Sequence, residues 1–153
     1  MDSVRSLILQ NLQTTIRGLQ IAGGYNFDWR NAYTRARLLD DFKTYPSANL
    51  TDAGLTYDSS AASCLAREWS VRIDAAQKVI EEDGDDAQTV ADQVLEDLEK
   101  AVLVDPTRGG NAMDTVPTSA TVKTPETSAP FVVVTLIVQI RFRTHWNDPA
   151  QQK

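Results

Sequence analysis

Cys64 and His145 are the only thiol and the only imidazole in the chain, so histidine and cysteine cannot assemble a zinc site or a facial triad. The two could meet in space as a thiol–imidazole pair. Cys64, however, falls in a predicted loop among small residues (Ala62, Ser63), and His145 lies close to a C-terminal tail expected to be mobile. The expectation is therefore chance co-occurrence and a passive, partly buried cysteine. A single cysteine forms no internal disulfide, which suits a reducing compartment. Asp83-Gly84-Asp85-Asp86 is rich in oxygen ligands but lacks the alternating positions and distal glutamate of a calcium loop. Neither GxxxxGK nor GxGxxG occurs. Asn49-Leu50-Thr51 has the spacing of a glycosylation acceptor, which has no meaning without secretion. Arg108-Gly109-Gly110 offers two readings: an anion-binding nest of backbone amides, or a plain turn joining helix to strand. Carboxylate pairs suited to acid–base work cannot be told apart from the general acidity of one helix. These residue types and spacings predict no reaction, no resident metal and no cofactor.

Charge is unevenly distributed. Residues 81–99 hold nine of the 21 acids and none of the 15 bases, which leaves 12 acids against 15 bases elsewhere. The net charge of −6 is thus the property of one segment. A tight DNA binder displays a basic stripe that releases counterions, and none is visible. Arginine and aromatic residues interleave from Tyr25 to Arg37, as in surfaces that stack single-stranded bases. Given the overall acidity, a core-facing aromatic row opposite solvent-facing arginines is expected instead. The longest apolar stretch, residues 131–140, is half the length of a membrane-spanning helix. The first residues lack a basic region followed by an apolar one, so no signal peptide is expected. The chain reads as a globular domain made inside the cell, with no membrane contact.

The elements that must position these residues follow from periodicity. Val4, Ile8, Leu12, Ile16 and Leu19 recur at helical spacing, with Ser3 as cap and Gly23-Gly24 closing the segment. Residues 25–39 suit an extended segment, and 47–57 a short strand interrupted at 52–54. Residues 68–75 alternate cleanly, with Trp69, Val71 and Ile73 facing one way and Arg72 and Asp74 the other. A second helix spans 87–104, stopped by Asp105-Pro106. Residues 111–124 suit a bent or edge strand, because Pro117 cannot complete an interior ladder. Residues 125–130 read as a loop. Residues 131–146 form the longest strand, with Val138, Ile140 and Phe142 inward and Arg141 and Arg143 outward. The expected fold is α+β: an antiparallel sheet of four to five strands, covered on one face by two helices. Residues 1–146 form one domain and 147–153 a polar C-terminal tail.

Several of these stretches occur together in a known order. A helix leads to Gly23-Gly24-Tyr25-Asn26-Phe27-Asp28, then Tyr33-Thr34-Arg35 and Tyr45-Pro46-Ser47-Ala48-Asn49-Leu50. The second helix carries Val94-Leu95-Glu96-Asp97-Leu98-Glu99-Lys100-Ala101-Val102 and is followed by Asp105-Pro106-Thr107-Arg108-Gly109-Gly110-Asn111-Ala112. A long strand ending Ile140-Arg141-Phe142-Arg143-Thr144 closes the series. This layout resembles the tail terminator proteins of long-tailed double-stranded DNA bacteriophages and the related neck and tail-completion proteins. Arg108 stands where that turn more usually has an apolar residue.

The resemblance implies a virion protein without enzyme activity, assembled as a ring, usually of six copies, at the head-proximal end of the tail tube. Such a ring ends tube growth and docks onto the neck or connector protein, and genomic DNA passes through without sequence-specific binding. A stopper or connector adaptor is the neighbouring alternative. A small ligand-binding α+β domain with its site at Gly109-Gly110 is the alternative from another class. A ring needs two unlike patches on each subunit. The acidic helix, with Asp92 and Asp97, and the basic strand face, with Arg72, Arg141 and Arg143, are the expected pair. The acidic helix could instead line the channel and keep DNA from sticking. Residues 116–130 could be an arm reaching a neighbour.

Overall fold

A computed structural model describes residues 3–34, 44–58, 64–80, 86–123, 131–145 and 148–152. Helix α1 (Val4–Arg17) forms because Val4, Ile8, Leu12 and Ile16 stack on one buried stripe. Ser3 Oγ accepts from the Ser6 amide at 3.1 Å and caps its start. The helix ends at Gly18, close to the end near Leu19 that the apolar spacing predicts. A single 3-10 turn, Ile21–Gly23, then leads to Gly24 in the left-handed region. Between residues 25 and 34 only Asn31–Tyr33 form a strand, β1. The expected extended segment is thus shorter than its composition suggested. Its residues 35–39, including Arg35 and Arg37, lie outside the described residues. So do the acids at 81–85 and the loops at 59–63 and 125–130.

The sheet is built from β1, β2 (Ser47–Asp58), β3 (Leu65–Lys78), β4 (Asp114–Lys123), β5 (Phe131–His145) and β6 (Asp148–Gln152). Its strand order is β1-β2-β3-β5-β4, with β6 also pairing with β5. β1 runs parallel to β2, so the sheet is mixed at that edge, and the remaining pairs are antiparallel. β5 is the spine. It pairs with β3 from Lys78↔Phe131 to Leu65↔Thr144, and on its other side with β4 and then β6. Residues 148–152, expected as a tail, form β6 instead. The gap expected in β2 is a bulge: the register shifts between Asp52 and Gly54 while the strand continues. A second bulge follows Pro117 in β4, the edge strand expected to bend there.

Both helices lie on one face, as expected. Helix α2 (Ala87–Val104) starts at Asp86, whose side chain accepts from the Thr89 amide. It buries Val90, Val94, Leu98, Ala101 and Val102. Opposite stand Trp69, Val71 and Ile73 of β3 and Leu136, Val138, Ile140 and Phe142 of β5, all in the same core as α1. The Trp69 and Phe142 rings meet edge to face, with centroids 6.5 Å apart. The opposite face of the sheet is uncovered among the described residues. The architecture is α+β.

Candidate functional site

The Arg108-Gly109-Gly110 turn is the first candidate, and its Gly109 amide and part of its guanidinium are already bonded within the chain. Asp105 Oδ2 accepts from the Gly109 amide at 2.7 Å, and its Oδ1 accepts from Thr107 Oγ1 at 3.1 Å. The carboxylate of the chain thus occupies the place an external anion would take. Arg108 turns inward, is fully buried, and donates to the carbonyls of Val102 (3.0 Å) and Ala101 (3.3 Å). These are carbonyls of the last turn of α2 that lack helical partners, so the guanidinium caps the helix. To do this Arg108 adopts φ +48°, a left-handed conformation that costs a non-glycine residue energy. Burial lowers its pKa, and the nearby Asp105 partly offsets that shift. Of the two readings its sequence offers, these bonds favour the plain turn at Gly109.

The five residues expected at a subunit interface separate in the structure. Asp97 is not on the surface. It is 0% exposed and accepts from the amides of Asn26 (2.8 Å) and Phe27 (3.1 Å) and from Trp29 Nε1 (2.9 Å). It anchors the segment that enters β1, and it cannot touch a neighbouring copy. Asp92 is exposed on α2, where it accepts from Gln88 Nε2 at 2.9 Å. Arg72, Arg141 and Arg143 all lie exposed on the uncovered face, as expected. Arg72 Nε, however, bonds both oxygens of Asp74, at 2.8 and 3.0 Å. Arg141 forms a fork onto Asp114. Asp74 also accepts from Thr135 Oγ1 at 2.6 Å, and Gln139 Nε2 donates to Glu68 at 3.3 Å. Arg72 and Arg141 are thus neutralised in place, while Arg143 forms no salt bridge among the described residues. The uncovered face carries a shallow hollow of about 840 Å³ between Thr51, Arg72, Thr121 and Ile137.

A basic surface lies elsewhere, where sequence reasoning did not look. An open groove of about 570 Å³ runs between the 3-10 turn, the start of β2 and the end of β3. Ile21, Phe27 and Ile80 line it together with Tyr45, whose ring stacks on Phe131 at 5.0 Å. Arg30 and Lys78 stand on its wall, and Lys78 Nζ lies 5.1 Å from the Tyr45 ring centroid. A smaller hollow shares Ile21, Asp28 and Arg30 with it and adds Arg17. Asp28 also lines this surface and accepts from the Ile21 amide at 2.8 Å. Among the described residues, none of Arg17, Arg30 and Lys78 forms a salt bridge. The sequence signal was present in Arg17, Arg30 and Lys78, but they are 61 positions apart at the extremes, and only the fold brings them together.

Cys64 is buried and immediately precedes β3, whose first residue Leu65 pairs with Thr144. Cys64 and His145 are thus brought to the same end of the β3–β5 ladder, Cys64 in the bend before β3 and His145 at the last position of β5. No cluster of three potential metal ligands occurs among the described residues, and none of the described helices is long and apolar enough to cross a membrane. Comparison with protein-family models and with curated protein sequences finds no match for this chain.

Proposed function

We propose that the chain is a structural subunit of a ring at the head-proximal end of a phage tail tube, where it ends tube growth and joins tail to neck. The observation that carries this reading is the order of its elements and motifs. A helix is followed by the aromatic Tyr25–Trp29 entry, a second helix, the Asp105–Gly110 turn and a long closing strand, as the resemblance requires. Two further features support it. The sheet leaves one face without a helix, which is a place for other subunits to pack. The surface also holds two unlike charged regions, acidic along α2 and basic around Ile21, as a head-to-tail contact needs. Against the ligand-binding alternative, Asp105 already holds the Gly109 amide.

Size-exclusion chromatography with light scattering, followed by electron microscopy, tests the proposal. A closed ring with an axial hole that binds tail tube protein is expected. A compact monomer that ignores tail tube protein and melts higher with a small ligand overturns it. Six copies per particle fit a terminator, and twelve fit a connector adaptor.

A further inference from the structure

We infer that the exposed end of α2 plugs the groove around Ile21 on the next copy of the chain, and that this contact closes the ring. The inference rests on the ring reading above and names its interface. The exposed stripe of α2 runs Gln88, Asp92, Glu96, Glu99 and Leu103, successive residues three or four positions apart. Its charged members Asp92, Glu96 and Glu99 are all acids, and Glu96 pairs with the neighbouring Lys100 at 2.7 Å. The stripe ends in two large apolar side chains that nothing covers: Leu103 is 55% exposed and Val104 62%.

The groove presents the complement. Ile21 and Ile80 are 59% and 47% exposed at its mouth, and Arg17, Arg30 and Lys78 surround them. An apolar centre inside a charged rim is the usual anatomy of a specific protein contact. A phosphate backbone would use the bases but would gain nothing from exposed isoleucines. Arg72 and Arg141 are already paired within the chain, whereas Arg17, Arg30 and Lys78 form no salt bridge among the described residues.

Within one chain the two surfaces are separate: no residue of α2 is among the described residues that line the groove. The groove lies where Lys78 pairs with Phe131, at the start of β5. The last turn of α2 leads through residues 105–112 to Met113, whose amide donates to the carbonyl of Arg141 at 2.7 Å, near the end of β5. Ten strand residues separate those points, roughly 33 Å at the usual rise. Two different patches of one subunit thus meet on neighbouring copies, which is a heterologous contact.

The test uses two surface variants of the full chain, Leu103→Asp and Ile21→Asp. Each removes one partner of the contact and leaves the other intact. Each alone is expected to lose the ring and run as a monomer with an unchanged melting temperature. Mixed in equal amounts, they are expected to form dimers that grow no further, because each dimer has only spoiled surfaces left. A charge swap gives an independent readout: Arg30→Glu is expected to lose the ring, and adding Glu99→Lys in the same chain to restore it. A wild-type ring that both apolar variants leave intact, or a mixture that stays monomeric, overturns the interface while the ring reading stands. A wild type that never exceeds monomer mass overturns both. Salt-sensitive binding of a single-stranded oligonucleotide that Arg30→Glu abolishes while the ring persists assigns the groove to nucleic acid and overturns the contact.

Discussion

Asp97 carries the entry to β1 on one side chain. Removing its carboxylate leaves the amides of Asn26 and Phe27 and the Trp29 indole N–H buried without an acceptor. Asp97→Ala is expected to cost roughly 3 kcal/mol or more in denaturant unfolding, and Asp97→Asn less, because one acceptor oxygen survives. A midpoint that does not move for the alanine variant would mean the segment is held by other contacts. At Arg108, backbone strain and side-chain bonding oppose each other. Arg108→Gly relieves the left-handed strain while Arg108→Ala does not, so the glycine variant should be the more stable of the two by about 1 kcal/mol. Acid acts through Asp105 and Asp114. Burial pushes Asp105 up, but the Gly109 amide and the Thr107 bonds outweigh it, and the carboxyl ends below its ordinary value. The Arg141 fork lowers Asp114 in the same direction, against a smaller effect of burial. Lowered carboxylates add stability that is complete above the ordinary aspartate value and is lost as pH falls through their folded values. Melting temperature should therefore drop below about pH 4, and Asp114→Asn should make that drop shallower.

Gly54 sets the aim of half a strand. At φ +127° it follows the bulge that turns Leu55 toward the Trp69 side of the sheet. A β-branched side chain cannot adopt that backbone without strain, so Gly54→Val should cost more than about 1 kcal/mol in thermal unfolding. An equal cost for Ala53→Val would locate the effect in the strand edge and not in the glycine. The elements were mostly legible in the sequence because their burial follows a simple period. Helix α2 was readable to its ends, since Val90, Val94, Leu98 and Ala101 keep the step and Asp86 and Pro106 bound it. Asp97 was misread as a surface acid, although it falls three residues after Val94 and four before Ala101, on the buried stripe. Its polar partners come from residues 26–29, about 70 positions away, and no local pattern reveals them. β3 extends before the alternation that announced it, because Arg67 occupies an inward position with its guanidinium over the Tyr57 and Phe142 rings. β1 was hidden for a different reason. Three residues paired to β2 in parallel register are too short to show any period.

On the scale of the whole molecule, charge separates by region: acids along α2, bases around Ile21, and a sheet face on which Arg72 and Arg141 are paired in place. Contacts between such regions are steered over distance and screened by salt. Assembly monitored by stopped-flow light scattering should slow as ionic strength rises, while the completed ring dissociates more slowly than the charge effect alone predicts, because its apolar centre is insensitive to salt. An assembly rate independent of salt would assign the contact to the uncharged part alone. The β3–β5 ladder has a further consequence. Its strands run antiparallel over 14 paired positions, with Leu65 and Phe131 at opposite ends. Tension applied by optical tweezers between those two points loads every rung at once, in shear. Tension between Leu65 and Thr144, which face each other, opens the rungs one at a time like a zipper. The same subunit should therefore be stiff and slow to rupture along its long axis, and weak when peeled from one end.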